Sequence, residues 1–251
     1  MAITYVGAGA AVQTGTTTLT LAGHASSLIG DIHIAQIISI NNVAVTAPNA
    51  TWTEIAQLNF TGSRGAIFWK RLAAAGAGSY AFTVGGTTTS HGIVTAYRGC
   101  KATGAPFGAV TTSANASADA ITYAAILPHT RNGMLVAVGL YAEDATTAGT
   151  VSGAVYVFAA PVVDEENATL EDSWISVSHA PMTTNATSGA ITQATTSTVD
   201  AVNLGVLFDL MDESSLSGVG GGGLTYPAGM GVSRPGDGRV SFPRRSRAGD
   251  R

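Results

Sequence analysis

The sequence predicts an all-β protein, an antiparallel β-sandwich of jelly-roll or immunoglobulin-like type with about a dozen strands, followed by an extended C-terminal tail. Three observations carry that expectation. Short segments rich in β-branched and aromatic residues recur along residues 3–210, each bounded by Gly, Ser, Thr, Asn or Pro. No segment has a credible helical pattern, and the alanines at 73–75 run into Gly76 and Gly78, which favours a loop. Only 11% of residues are charged, against roughly 25% in an average globular chain, so Thr, Ser and Ala must cover much of the surface.

In order, Ile3–Val6 opens the series, and Thr16–Leu21 alternates so that Leu19 and Leu21 share one face of a half-buried strand. In Ile32–Ile40, Ile32, Ile34, Gln36, Ile38 and Ile40 share a face while Ala35 and Ile37 take the other, which predicts a central strand covered on both sides. Pro48 and Asn49 mark a turn before a strand from Thr51 toward Phe60, and 61–65 reads as a second turn. Ala66–Leu72, Ser79–Val84 and His91–Arg98 are the clearest strands. Residues 101–120 form a long connection with an edge strand at Phe107–Thr111, and Ala120–Ile126, Gly133–Tyr141, Val155–Phe158, Ser173–Ser178, Ala190–Thr196 and Ala201–Leu210 complete the set.

Residues 1–212 are expected to form one sandwich domain, with two related halves at 1–100 and 120–212. Gly30-Asp31 opening an aliphatic strand would match Asn132-Gly133, Trp69 would match Trp174, and His91–Arg98 would match Ala201–Leu210 as closing strands. From 213 onward the character changes to a Gly-rich linker and a basic arm that cannot bury enough apolar surface to fold alone. Residues 217–251 hold six arginines and two acids, +6 − 2 = +4, whereas 1–216 holds six basic and fourteen acidic residues, 6 − 14 = −8. A basic arm on an acidic body points to electrostatic docking, and Arg234, Arg239, Phe242, Arg244, Arg245 and Arg247 are the candidate partner-docking residues.

Cys100 is the only cysteine, so stability must come from burial and pairing rather than an internal disulfide. The N-terminus lacks a basic segment followed by an apolar core, so secretion by the general route is not expected. No stretch approaches the roughly 18 apolar residues of a membrane helix, so membrane insertion is not expected either.

The segments GDIHIAQIISI, Pro48…Trp52, FWKRLAAAGAGSYAFTV and GIVTAYRG resemble a β-sandwich family found in tailed-bacteriophage virion proteins. The resemblance extends over about residues 1–210, with 30–99 its specific part, and its motifs are core and turn positions. It implies a non-enzymatic structural domain of a tail, fibre or other surface-attached virion protein, located in the virion. Other virion subunits would be its partners, and a homo-oligomer is expected.

The residues offer little chemistry against that reading. The five histidines show no metal-ligand spacing; Asp31 and His33 would share a strand face, but Asp31 after Gly30 reads as a turn carboxylate. Asp164-Glu165-Glu166 with Glu171-Asp172 reads as a solvated acidic loop without calcium-loop periodicity, and as a landing site for a neighbour's arginines. No Gly-x-Ser-x-Gly elbow occurs, and no cofactor is implied. For the arginine arm, a protein contact is the expectation rather than nucleic acid. The alternative function is a glycan-binding host-attachment module presenting Trp52, Tyr141, Tyr156 or Trp174 on loops, where a sugar could stack; against it stands their use as core or turn-packing residues.

Overall fold

The computed structural model describes residues 2–60, 62–115, 120–129, 132–142, 150–153, 155–167, 173–184, 186–194 and 203–213. The chain divides into a compact unit, Met1–Leu216, and a second unit, Ser217–Arg251, which lies outside the described residues together with all six candidate docking residues.

The first part of the compact unit contains β1 (Thr4–Ala8), β2 (Val12–Thr14), β3 (Thr18–Ala22), β4 (Ile32–Ile40), β5 (Val45–Thr46), β6 (Thr53–Phe60), β7 (Ser63–Arg71), β8 (Ser79–Val84) and β9 (Ser90–Arg98). The second contains β10 (Phe107–Asn115), β11 (Ala120–Tyr123), β12 (Met134–Tyr141), β13 (Val151–Gly153), β14 (Val163–Asn167), β15 (Ser173–Pro181), β16 (Ile191–Ala194) and β17 (Asn203–Leu210). No α-helix occurs among the described residues, and every strand pair is antiparallel.

The strands form four sheets. The large sheet of the first half has the order β1-β9-β4-β7-β6, with β2 continuing the β1 edge along β9, and its small sheet is β3-β8-β5. The second half has β10-β17-β12-β15-β14 and β11-β16-β13. With β2 set aside, the two halves contain the same eight strands in the same order, passing between a five-stranded and a three-stranded sheet at every step except β6–β7 and β14–β15, which are neighbours in the large sheets, much as in a jelly roll. Smaller features repeat as well. The first strand of each half is bulged against the closing strand, between Tyr5 and Gly7 and between Phe107 and Val110. The Leu72 N–H donates to the Asp31 carbonyl at 2.9 Å and the Met182 N–H to the Gly133 carbonyl at 3.0 Å, at matching strand ends.

The two large sheets pack back to back. Ile32, Ile34, Ile38, Ile67, Ile93 and Tyr97 meet Val136, Val138, Leu140, Ile175, Leu204, Val206 and Phe208 in one central core. Each outer face is then covered by a small sheet. Ala35, Ile37, Phe68 and Val94 face Leu19, Leu21, Phe82 and Val84 on one side, while Leu135, Ala137, Trp174 and Leu207 face Ile121, Tyr123, Val151 and Ile191 on the other. This four-layer stack explains the near-continuous apolar runs: β4, β9, β12 and β17 are covered on both faces, whereas outer strands β3 and β8 alternate buried and exposed.

Several expectations change in detail. Residues 63–65 belong to β7, not to a turn, because Phe60 already pairs with Ser63, with Gly62 at φ +82° just before it. Val155–Phe158 is not a strand; the nearby strands are Val151–Gly153 and Val163–Asn167. Asp164–Glu166 is not loop but part of edge strand β14, in register with Ser176, Ile175 and Trp174. Trp69 does not correspond to Trp174, since Trp69 pairs with Ile34 and the equivalent strand position, opposite Val136, is His179.

Candidate interaction surface

The residues suspected of chemistry are mostly committed to internal contacts. Asp31 is 2% exposed; its carboxylate accepts from Arg98 Nε at 2.9 Å, from Arg98 Nη2 at 2.7 Å and from the Leu28 N–H at 2.8 Å. The fork of the guanidinium fits both oxygens, so the carboxylate pins the β3–β4 connection to the end of β9. His33, on β4, points elsewhere: Nε2 lies 2.8 Å from Ser27 Oγ and Nδ1 lies 3.0 Å from Tyr80 OH. Burial, reinforced by nearby Lys70, lowers its pKa to about 4.

Ser27, His33 and Tyr80 thus form a relay with the outline of a nucleophile, a base and an orienting group, residues that sequence spacing did not bring together. The third member is a phenol rather than a carboxylate, and Ser27 is 1% exposed. Such a relay satisfies buried polar atoms and clamps the loop. Lys70 completes this corner, its Nζ 4.9 Å from the Tyr80 ring and 5.6 Å from Trp52.

A second polar cluster lies between the large sheets. His91 Nδ1 is 3.2 Å from Ser173 Oγ, which also accepts from Gln13 Nε2 at 3.3 Å, and His91 Nε2 is buried without a partner. Burial lowers the His91 pKa to about 4. His179 stacks against Tyr5 and Tyr97, with ring centroids 5.5 and 6.5 Å away, and burial lowers its pKa too. Asp209, fully buried, accepts the N–H groups of Gly108, Ala109 and His129, and so fixes the bulge of β10. Among the described residues no group of three or more His, Cys, Asp or Glu gathers as metal ligands would. The Cys100 thiol is buried and its pKa is pushed up to about 12, chiefly by desolvation.

The aromatics of the glycan reading are core residues: Trp52, Tyr141, Tyr156 and Trp174 are 5, 1, 3 and 4% exposed. Glu171 and Asp172 lie outside the described residues.

Among the described residues, most of the exposed large apolar side chains lie at one end. Ile32 pairs with Tyr97, Cys100 bridges Asp212, and Leu210 pairs with Met134, so the first residues of β4 and β12 lie at the same end. Leu28 and Ile29, 51 and 70% exposed, precede β4 there, and Leu127, 60% exposed, precedes β12. The two leucines are matched: the Ser27 carbonyl before Leu28 accepts from Gly76, and the Ile126 carbonyl before Leu127 accepts from Ser188, each in the loop after the equivalent strand. Val155 and Val157, 44 and 88% exposed, join them, because Tyr156 OH reaches the Thr184 and Ala186 carbonyls and the Ala159 N–H donates to His179. A pocket of about 270 Å³ opens at this end among Leu28, Ile29, Arg71, Arg98 and Cys100. Sequence pattern did not single these residues out, since isolated apolar residues in loops give no periodic signal.

Compared with known proteins, the chain matches no family model, no curated protein and no solved structure.

Proposed function

We propose that this protein is a non-enzymatic structural component of a tailed-phage virion. In this reading the β-sandwich is displayed on the particle, as part of a tail, a fibre or baseplate, or a capsid decoration, and is held to neighbouring subunits through its C-terminal arm. The observation that carries it is the division of charge, −8 over residues 1–216 and +4 over 217–251, in an arm whose Gly, Pro and Arg content suits an extended segment held by partners. The four-layer body supports the same reading: His33, His91 and most of the large aromatics among the described residues are spent on internal packing, as a rigid building block requires. Arg234, Arg239, Arg244, Arg245 and Arg247 would pair with acidic surface on a neighbouring subunit, with Phe242 as an apolar anchor. Deleting residues 217–251 and measuring incorporation into particles tests the proposal. Loss of incorporation is expected; unchanged incorporation overturns the docking role.

A further inference from the structure

We infer that the seam between the two large sheets opens on one side in acid, the β1–β14 margin swinging apart while the β6–β10 margin stays closed and acts as the hinge. This conformational device belongs to the folded body and is independent of the virion reading.

The stacking of the sheets defines the two margins. β6 lies against β10 and β17, β4 against β12 and β15, and β9 against β15, so β6 stands over β10 at one margin and β1 lies toward β14 at the other. The inner face at the β6–β10 margin is apolar. Trp69 meets Phe107 at 5.5 Å between ring centroids, and Phe107 meets Phe208 at 5.4 Å. Leu140 and Leu204 press on Gly65, and Ile55, Ala56 and Leu58 of β6 pack on the same core. Apolar burial of this kind does not depend on pH.

The β1–β14 margin is held by polar groups, two of which titrate. His91 of β9 faces Ser173 of β15, which Gln13 of β2 also reaches. His179 of β15 is lodged against Tyr5 of β1 and Tyr97 of β9, and Tyr5 OH donates to the Val162 carbonyl at 3.4 Å. Each histidine thus sits on one half and touches the other. His91 Nε2, His179 Nδ1 and Tyr97 OH are buried without a hydrogen-bond partner, so the closed seam leaves bonding capacity that water would satisfy on opening.

The groups facing the two rings do not compensate a positive charge among the described residues. His91 is opposite Ile38 and Gln13, and His179 is opposite Val136. Burial raises the pKa of Tyr5 and of Tyr97, so both phenols are neutral in acid. On β14, Glu165 shares the inner face by register with Ile175, whereas Asp164 and Glu166 take the outer one; Glu171 and Asp172, before Ser173, lie outside the described residues. Burial keeps both imidazoles neutral in the closed seam, with the His91 pKa lowered to about 4. Opening returns them to water, where they take up protons below about 6.5. The open state then binds more protons than the closed one and gains as pH falls. At about pH 4.5, His91 alone multiplies the open population roughly 80-fold relative to neutral pH, and His179 acts in the same direction.

Hydroxyl-radical footprinting of the full-length chain, read by mass spectrometry at about pH 7 and about pH 4.5, tests this because it reports solvent access to side chains. In the wild type, oxidation of Tyr5 and Tyr97 should rise several-fold in acid while Phe107 and Phe208 stay protected. The variant His91→Gln plus His179→Phe keeps a hydrogen-bonding group toward Ser173 and a ring against Tyr5 and Tyr97. It should match the wild type at neutral pH and lose the acid response. Should that pair fail to fold, His179→Phe alone should show a smaller rise. Glu165→Gln should leave the response in place. The inference is overturned by a wild type without the rise, by equal rises at both margins, by a rise that persists in the double variant, or by its loss in Glu165→Gln.

Discussion

Acidification should loosen the molecule at its centre, and His91 makes the size of the effect calculable. The imidazole is fully buried between the two large sheets, facing Ser173 Oγ and Gln13, and among the described residues no carboxylate contacts it to compensate a positive charge. Its pKa is lowered from 6.5 to about 4 in the folded protein, by desolvation first. Above the unfolded value both states are neutral and the group contributes nothing. Between 6.5 and about 4 the unfolded chain takes up a proton that the folded one refuses, so stability falls as pH falls; below that window the penalty is constant. At about 1.4 kcal/mol per pH unit the loss approaches roughly 3 kcal/mol. Buried His33, lowered to about 4 as well, adds a loss of similar size. Urea unfolding of wild type and His91→Gln, from about pH 7 down to about pH 4, isolates the contribution, because carboxylate protonation is common to both proteins. The variant should lose roughly 3 kcal/mol less than wild type over that range. Identical pH dependence in the two proteins would refute the argument.

Other outcomes follow from the packing. Gly65→Val places a Cβ 2.7 Å from Leu140 Cδ1 and 3.1 Å from Leu204 Cδ1, so it should wedge the large sheets apart and cost about 1–3 kcal/mol in thermal unfolding; an unchanged Tm would mean the sheets are not in close contact there. Asp209→Ala removes the acceptor shared by Gly108, Ala109 and His129 and should cost about 1–3 kcal/mol in chemical denaturation, because three partly buried backbone donors lose their acceptor. Cys100, buried with its pKa raised to about 12, should resist iodoacetamide in native protein and react once urea unfolds it; rapid native labelling would contradict its placement.

The strand inventory was legible because both sheet periodicities appear in the chain. Alternation in Thr18–Leu21 gave an outer strand, and the unbroken run at Met134–Tyr141 gave a strand buried on both faces. The arrangement was harder. Nothing in a run of buried residues says which face meets a small sheet and which meets the other half, so the back-to-back packing could not be read. Pairing Trp69 with Trp174 was misled by residue type, where register places His179. The acidic run at 164–166 looked like a loop because carboxylates are poor strand formers; an edge strand tolerates them, since one side of its backbone faces no partner strand. Contacts such as Ser27–His33–Tyr80 depend on a β4–β8 approach across sheets, which no local spacing encodes.

The back-to-back arrangement also constrains how the halves relate physically. A jelly roll that stood alone would leave in water the face of its large sheet that its small sheet does not cover, and here that face carries Ile32, Ile34, Ile38 and Ile67 in the first half and Val136, Val138, Leu140 and Val206 in the second. Burying a side chain of this size contributes about 1.5–3 kcal/mol, and neither half has another surface on which to obtain it. Each half is thus the partner the other requires, fused in one chain through the short connection at 99–106, where the Lys101 N–H donates to the Met211 carbonyl at 2.7 Å. That use of the inner faces leaves the strand edges and the loop ends as the surfaces still open to another molecule. Among the described residues, the end with Leu28 and Leu127 is where both halves expose large apolar side chains.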